Sequence, residues 1–310
     1  MISELFSATV LIGILASGIR LATPYLYAAI GETLGQRSGV LNLGVEGQML
    51  LGAFAAFYIV FQTGNLWLGV LAAILVGAIM GLAMAFVTVN LHAVQGISGI
   101  GFYLFGLGLS DLLFQKLMGT VETVRGFSKI HIPFFSDIPV IGEIFFQQNL
   151  MVYLAFALVP LSAFLLNKTT LGLKIRAVGE NPEAADSLGV SVAKVRYFTV
   201  IAGGIFSGVA GASLSIALLN VFQQNMTSGL GFIAVALVYF GGWRPWGVMG
   251  GALLFSMVNS LQLWVQVLGI PIPSDIAVMM PYVLTILALV LAVSRVRAPS
   301  ALSKPFGRED

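Results

Sequence analysis

"LWLGVLAAILVGAIMGLAMAFVTVN" (Leu66 to Asn90) contains no charged side chain. A helix needs about 20 apolar residues to cross a hydrocarbon core about 30 Å thick, and this stretch is long enough. It lies inside a longer segment, Gly47 to Ser110, that has no Asp, Glu, Lys or Arg. A second segment of this kind runs from Tyr197 to Trp243. Each has room for at least two crossing helices. Across the 310 residues, 58% are hydrophobic and only 9% are charged, against about 25% charged in ordinary soluble domains. Mean hydropathy is +0.97. A closed barrel would alternate apolar and polar positions, and that alternation is absent. The pattern predicts an all-α, polytopic integral membrane protein.

Other classes are excluded by what the chain lacks. With no cysteine there is no disulfide and no thiolate metal site. The two histidines, His92 and His131, are far apart and make no metal cluster. A net charge of +2 gives no nucleic-acid footprint. No cofactor is called for. The start, Met-Ile-Ser-Glu, lacks the basic region of a secretory signal, so the first apolar segment is expected to remain.

Apolar runs predict nine spans, at about 6–30, 44–62, 66–90, 97–117, 150–167, 197–219, 228–241, 246–268 and 276–294. The 228–241 run is short for a crossing and fits a half-helix or re-entrant piece. Orientation follows from Lys and Arg near the span ends. Lys168, Lys174, Arg176, Lys194 and Arg196 share one loop, and Arg295, Arg297, Lys304 and Arg308 lie at the end of the chain. Both regions are expected in the cytoplasm. The 118–149 loop, with its apolar "IPFFSDIPVIGEIFF", reads as an external cap, which places the N-terminus outside. Residues 1–298 then form one transmembrane domain with a cytoplasmic loop at about 168–196, and 299–310 form a cytoplasmic tail. Small residues at four-residue spacing, Gly203, Ser207, Gly211 and Ser215 beside Gly204, Gly208 and Ala212, predict close helix packing in the sixth span.

"RAVGENPEAADSLGVSV" (Arg176 to Val192) is polar between apolar neighbours. Asn181 is a good N-cap, Pro182 suits the first helical position, Glu183 and Asp186 lie near the helix start, and Gly189 fits the stop. A helix of about seven residues, 182–188, would present Ala184, Ala185 and Leu188 as a small apolar face. It is either a solvated connector or a peg for a cytoplasmic partner.

Three stretches carry a family resemblance. "LGLKIRAVGENPEAADSLGVSVAKVR" resembles the coupling-helix loop of ABC-importer permeases that move branched-chain amino acids, ribose-type sugars and nucleosides. "QRSGVLNLGVEGQMLLGAF" (Gln36 to Phe54) resembles the early motif of that family, in wording similar to nucleoside permeases. "GLGFIAVALVYFGGWRPWGVMGGALLFSMVN" (Gly229 to Asn259) resembles the late motif. The resemblance implies that the short helix, with Asn181, Pro182, Glu183, Ala184, Ala185, Leu188 and Gly189, docks on an ATP-hydrolysing subunit. The chain has no G-x-x-x-x-G-K-[ST] loop, so that ATPase is a separate polypeptide and this chain is a non-catalytic coupler. The resemblance further implies a second, paralogous permease, an extracytoplasmic substrate-binding lipoprotein and an inner-membrane location. Nucleosides are the first reading of the cargo and ribose-type monosaccharides the alternative.

Polar groups inside apolar spans are costly and mark candidate pathways. Asn42, Glu46 and Gln48 sit where the second span begins. Asn42 and Glu46 share a face if the helix has already started there, and the bland reading pairs Glu46 with Arg37. Ser256, Asn259, Gln262 and Gln266 fall on one face of the eighth span, either as a pathway for a neutral polar solute or as interhelical glue. Asn220, Gln223, Gln224 and Asn225 suit an outer vestibule or an ordinary polar turn. Arg20 is expected to pair with a carboxylate such as Asp111. A self-sufficient secondary transporter or channel would leave the capped helix without a role, and an intramembrane enzyme would need a nucleophile–base pair or metal set that is not evident.

Overall fold

The computed structural model describes residues 7–269, positions 279, 280, 282, 283, 286, 287 and 290, and residues 297–307. Every regular element among them is helical. In chain order these are α1 Ala8–Arg37, α2 Val45–Thr63, α3 Leu66–Ala85, α4 Gln95–Leu117, α5 Ile141–Phe145, α6 Leu150–Lys168, α7 Thr170–Glu180, α8 Pro182–Ser187, α9 Val192–Ser213, α10 Leu230–Phe240 and α11 Pro245–Val267. One π-helical turn, Phe86–Asn90, extends α3, and another, Leu214–Leu218, extends α9.

Among the described residues seven helices are long and apolar enough to cross a membrane: α1, α2, α3, α4, α6, α9 and α11, counting the two π turns with their helices. The predicted 228–241 span is the 11-residue α10, which is too short to cross. At about 1.5 Å per residue it reaches roughly half the hydrocarbon thickness. The predicted ninth span, 276–294, lies outside the continuously described residues. Span one is longer than expected and ends at Arg37, because Gly31, Glu32, Gln36 and their neighbours are buried by other helices.

α9 is the centre of the bundle and packs on α1, α2 and α3. The contact works because side chains are missing. A Cβ on Gly204 would stand 2.8 Å from Gly81 Cα on α3, and one on Gly208 would strike the Ala73 carbonyl. A Cβ on Gly203 would lie 3.3 Å from the Gly31 carbonyl on α1. Small residues that bring backbones together supply packing where lipid gives helices no hydrophobic reason to associate. On the other side of α1 lie α6, α10 and α11, whereas α4 leans mainly on α2.

Two ends of the bundle can be distinguished. At one, Arg37 Nε donates to the Trp243 carbonyl (2.9 Å), Ala301 N–H donates to the Gly179 carbonyl (2.9 Å), and His92 Nε2 meets the Phe306 carbonyl (2.9 Å). The loop expected to carry only one short helix belongs to this basic end and holds two. α7 is capped by Thr169 Oγ1 on Gly172 N–H (3.0 Å) and buries Ile175 and Val178 on one side, an amphipathic pattern the reading of that loop missed. At the other end Trp67 meets Phe127 edge to face, Asn149 Nδ2 donates to the Ala217 carbonyl (2.9 Å), and Thr123 bridges Val221. Residues of the 118–149 loop lie at this end, with α5 as the only helix within it.

Candidate functional site

The chain does not run directly from α1 into α2. After Arg37 it turns through Gly39, whose φ is +90°, and doubles back into the protein. Asn42 N–H donates to Glu32 Oε1 (3.0 Å), Leu41 N–H donates to Gln95 Oε1 (2.8 Å), and Gly44 N–H donates to Asn42 Oδ1 (2.9 Å). α2 therefore starts below the surface of the bundle, and Glu46 is 1% exposed in its first turn. Asn42 precedes the helix, so it shares no helix face with Glu46. It instead donates from Nδ2 to Gln48 Oε1 (3.2 Å). Gln48 is fully buried, and its Nε2 has no partner.

A similar descent occurs between α9 and α10. From the Leu214–Leu218 turn the chain drops inward, with Phe222 buried among Phe54, Phe57 and Phe114. It reaches Glu46 at the start of α10. Glu46 Oε1 accepts from Gly229 N–H (2.7 Å) and Thr227 Oγ1 (2.6 Å), and Oε2 accepts from Gly231 N–H (2.6 Å). Gly229, the N-cap of α10, has φ +92° and no side chain of its own to satisfy the first turn. A carboxylate from another helix takes that role, matching negative charge to the positive end of the helix dipole. Gly231 is close enough to Glu46 that a Cβ would meet its Cα at 2.6 Å. The pairing of Glu46 with Arg37 is thus replaced by a cap, and Arg37 turns to Trp243.

Below this joint a second polar group ties α1 to the end of α10. Gln36 Nε2 donates to Glu32 Oε1 (2.9 Å), and Trp243 Nε1 donates to Gln36 Oε1 (2.7 Å). Glu32, Gln36, Thr227 and Trp243 were not singled out in the sequence. Glu32 and Gln36 are four apart on α1, but their partners come from distant segments.

Asn259 and Gln262 on α11 line a pocket of about 250 Å³ together with Tyr25, Thr227, Phe255 and Tyr282. Tyr25 and Phe255 meet edge to face at 5.2 Å, and Phe255 and Tyr282 at 6.5 Å. Neither amide makes a side-chain hydrogen bond among the described residues. The predicted stripe splits here. Ser256 is buried and bonds its own helix at the Leu253 carbonyl (3.0 Å), and Gln266 is exposed and outside the pocket. Interhelical glue is supplied by an unexpected residue, Ser260, which donates to the Ile14 carbonyl (2.8 Å) and meets Ser17 Oγ (2.6 Å). Arg20 and Asp111 do not pair: Arg20 makes no ion pair among the described residues, and one oxygen of Asp111 is buried without a partner.

At the basic end, Asn181 Oδ1 caps α8 through Ala184 N–H (3.0 Å), and Pro182 opens the helix as expected. The helix ends at Ser187, with Gly189 at φ +83° completing the stop. Its face differs from the expectation. Ala185 is 4% exposed and turns inward onto Leu166, Ile175 and Val195, while Leu188 is 85% exposed. The side left free carries Glu183, Ala184 and Leu188.

A family model for the permease component of branched-chain amino acid transport systems matches residues 14–289. The putative glucose ABC transporter permease protein TsgC13 of Haloferax volcanii is 39% identical over 96% of this chain and 98% of its own. The guanosine ABC transporter permease protein NupQ of Bacillus subtilis is 38% identical over 92% of this chain and 93% of its own. The nucleoside ABC transporter permease protein NupC of Lactococcus lactis is 37% identical over 93% and 94%. Each of the last two organisms has another matching permease, NupP at 26% and NupB at 22% identity. No solved structure matches the chain. With a match running through the seven described helices that are long and apolar enough to cross a membrane and across both buried joints, this chain belongs to the permease family of ABC transporters typified by branched-chain amino acid transport systems.

Proposed function

We propose that this chain is the membrane-spanning subunit of an ATP-driven importer that carries nucleosides across a prokaryotic inner membrane. The observation that carries the cargo reading is the pocket of two unpaired amides, Asn259 and Gln262, beside Tyr25, Phe255 and Tyr282. A nucleoside is neutral, flat on one side and hydroxylated on the other. Aromatic contact with a base contributes about 1–3 kcal/mol, and free amides match its edge and ribose without needing a counter-ion. The similarity to NupQ and NupC supports the same cargo. The similarity to TsgC13 keeps a monosaccharide as the second reading, since sugar hydroxyls also suit amides.

In this reading the basic end faces the cytoplasm, the N-terminus lies outside, and residues 1–298 form the permease domain with 299–310 as its tail. A separate ATPase docks on α8 through Glu183, Ala184 and Leu188, and the inward-facing Ala185 anchors the helix to the rest of the loop. A second, paralogous permease completes the pathway, as the NupP/NupQ and NupB/NupC pairs suggest, and an extracytoplasmic lipoprotein delivers solute. Nucleotide binding in the ATPase moves α8. Asn42, Glu46 and Gln48 form the joint that passes the movement to α10 and the pocket. This chain makes and breaks no bond of the cargo.

The test is uptake of labelled guanosine, uridine, ribose and glucose by cells expressing the chain with its neighbouring genes. Saturable guanosine or uridine uptake that sugars do not compete, lost when the ATPase gene is deleted, is the expected result. Sugar uptake alone would move the cargo to the second reading. Nucleoside uptake that persists without the ATPase would overturn the coupling.

A further inference from the structure

Residues 297–307 fold back over the basic end and touch the α7–α8 pair and the loop that leads to Asn42 and Glu46. Ala301 N–H donates to the Gly179 carbonyl at the end of α7 (2.9 Å), and Ser300 Oγ donates to Glu180 Oε2 (3.2 Å). Ser303 N–H donates to the Gly39 carbonyl (3.1 Å) in the loop that leads to Asn42 and Glu46. Phe306 packs on the cluster of Leu34, Ile175, Ala185 and Val195, and its carbonyl meets His92.

Arg196, in the first turns of α9, lies under this crossing. Its Nε donates to the Ser38 carbonyl (3.3 Å) and its Nη1 to the Lys304 carbonyl (3.1 Å). Its side chain is 1% exposed, it makes no ion pair among the described residues, and Nη2 has no partner. A buried guanidinium that meets only carbonyls among the described residues is costly compared with an apolar residue of similar volume. Gly39 fits the same crossing. A Cβ there would stand 3.0 Å from both the Ala301 carbonyl and Arg196 Nη2, and its φ of +90° disfavours any side chain.

We infer that residues 297–307 are a strap that links movement of the α7–α8 pair to the loop carrying Asn42 and Glu46, with Arg196 as its positioning residue. α7 also touches α1 and α9 directly, so the strap is not the only contact between these parts. What it adds is a hydrogen-bonded link between α7 and the 38–44 loop, beside the direct packing of Gly179 on Arg37 and Gly39; the loop also reaches α9 through Ser38 and Thr199 (2.7 Å). Through Asn42, Glu32 and Gln36 that link continues to Trp243 at the end of α10. The inference rests on the coupling reading above.

The experiment uses the complete transporter, reconstituted with its ATPase, second permease and binding protein, and compares the unaltered chain with a truncation after 298 and with Arg196→Lys. Melting temperature, ATPase co-purification, ATP hydrolysis and nucleoside uptake are read on each. The expected truncation keeps the ATPase bound and hydrolysing within about twofold of normal, while uptake per ATP falls about tenfold. Arg196→Lys keeps the charge but loses the planar fork that reaches two carbonyls at once, and its uptake per ATP falls between those limits. Unchanged uptake per ATP in the truncation would overturn the inference. Loss of the ATPase from the truncated complex would also overturn it, since 297–307 would then belong to the docking surface. Arg196→Lys that couples normally would remove the positioning role. Uptake by the unaltered transporter that ignores the ATPase would defeat the coupling reading itself, and the strap with it.

Discussion

α9 and α10 are held in the bundle by opposite means. α9 approaches its neighbours by omission, with Gly204 and Gly208 leaving room for the backbones of α3 and Gly203 facing α1. α10 is placed by insertion, with the Glu46 carboxylate filling its open first turn from another helix. The first contact is apolar, runs over several turns and has no alternative partner. The second is a single polar joint with three donors, and each of them can pair with another acceptor once the joint opens. A permease has to change shape around its cargo, so one region must stay fixed while another moves. By this contrast α9 is the fixed frame and the start of α10 the moving part.

The contrast can be broken first at α9. Gly208→Leu places a side chain where the Ala73 carbonyl stands, and neither backbone can give way cheaply. Overpacking of a well-filled core costs about 1–3 kcal/mol, and the upper value is expected where the obstacle is backbone. Fluorescence-detected gel filtration after mild heating should show most of the folded chain lost. Survival with a normal melting profile would show that α9 is not the rigid frame.

At the joint the expectation is a different kind of failure. Glu46→Ala leaves Gly229 and Gly231 amides and the Thr227 hydroxyl without their acceptor, and hydrogen bonds to charged groups contribute about 1.5–3 kcal/mol each. Water entering the gap restores part of this, so the chain should still fold while α10 loses its fixed position. Uptake is expected to fall about tenfold or more, with little change in the gel-filtration profile. Glu46→Gln keeps one carbonyl oxygen and should retain part of the activity. A variant that unfolds as completely as Gly208→Leu would place Glu46 in the frame instead of the joint.

How much of this was legible beforehand follows the same division. The α9 rows were visible because a packing face repeats every four residues within one helix. The caps of α8 were visible because Asn181, Pro182 and Gly189 act on their own neighbours. The seven described helices long and apolar enough to cross were visible from apolar length, although the same reading counted nine spans. Glu46 was legible as a costly carboxylate, yet its partners were not, because Thr227, Gly229 and Gly231 lie far along the chain and two of them contribute only backbone. The pairings of Glu46 with Arg37 and of Arg20 with Asp111 failed for one reason: charge complementarity says nothing about which elements meet. α7 was missed because its charged residues read as a loop, although Ile175 and Val178 fall on one helical face.

The finest test lies within one helix. Asn259 and Gln262 line the pocket, Gln262 with 8% exposure, while Gln266 a turn further on is exposed and outside it. Sequence spacing alone treats the three as equivalent. A neutral hydrogen bond contributes about 0.5–1.5 kcal/mol, so Asn259→Ala and Gln262→Ala should each raise the nucleoside concentration for half-maximal uptake by about two- to tenfold. Gln266→Ala should leave it unchanged. Because neither pocket amide has a partner among the described residues, their loss removes no internal bond seen there, and folding should be spared in all three. Equal effects at all three positions would mean that the helix face as a whole contacts water along the pathway. No effect at Asn259 and Gln262 would move the cargo contacts away from Tyr25 and Phe255, toward the unpartnered Gln48 amide beside the joint.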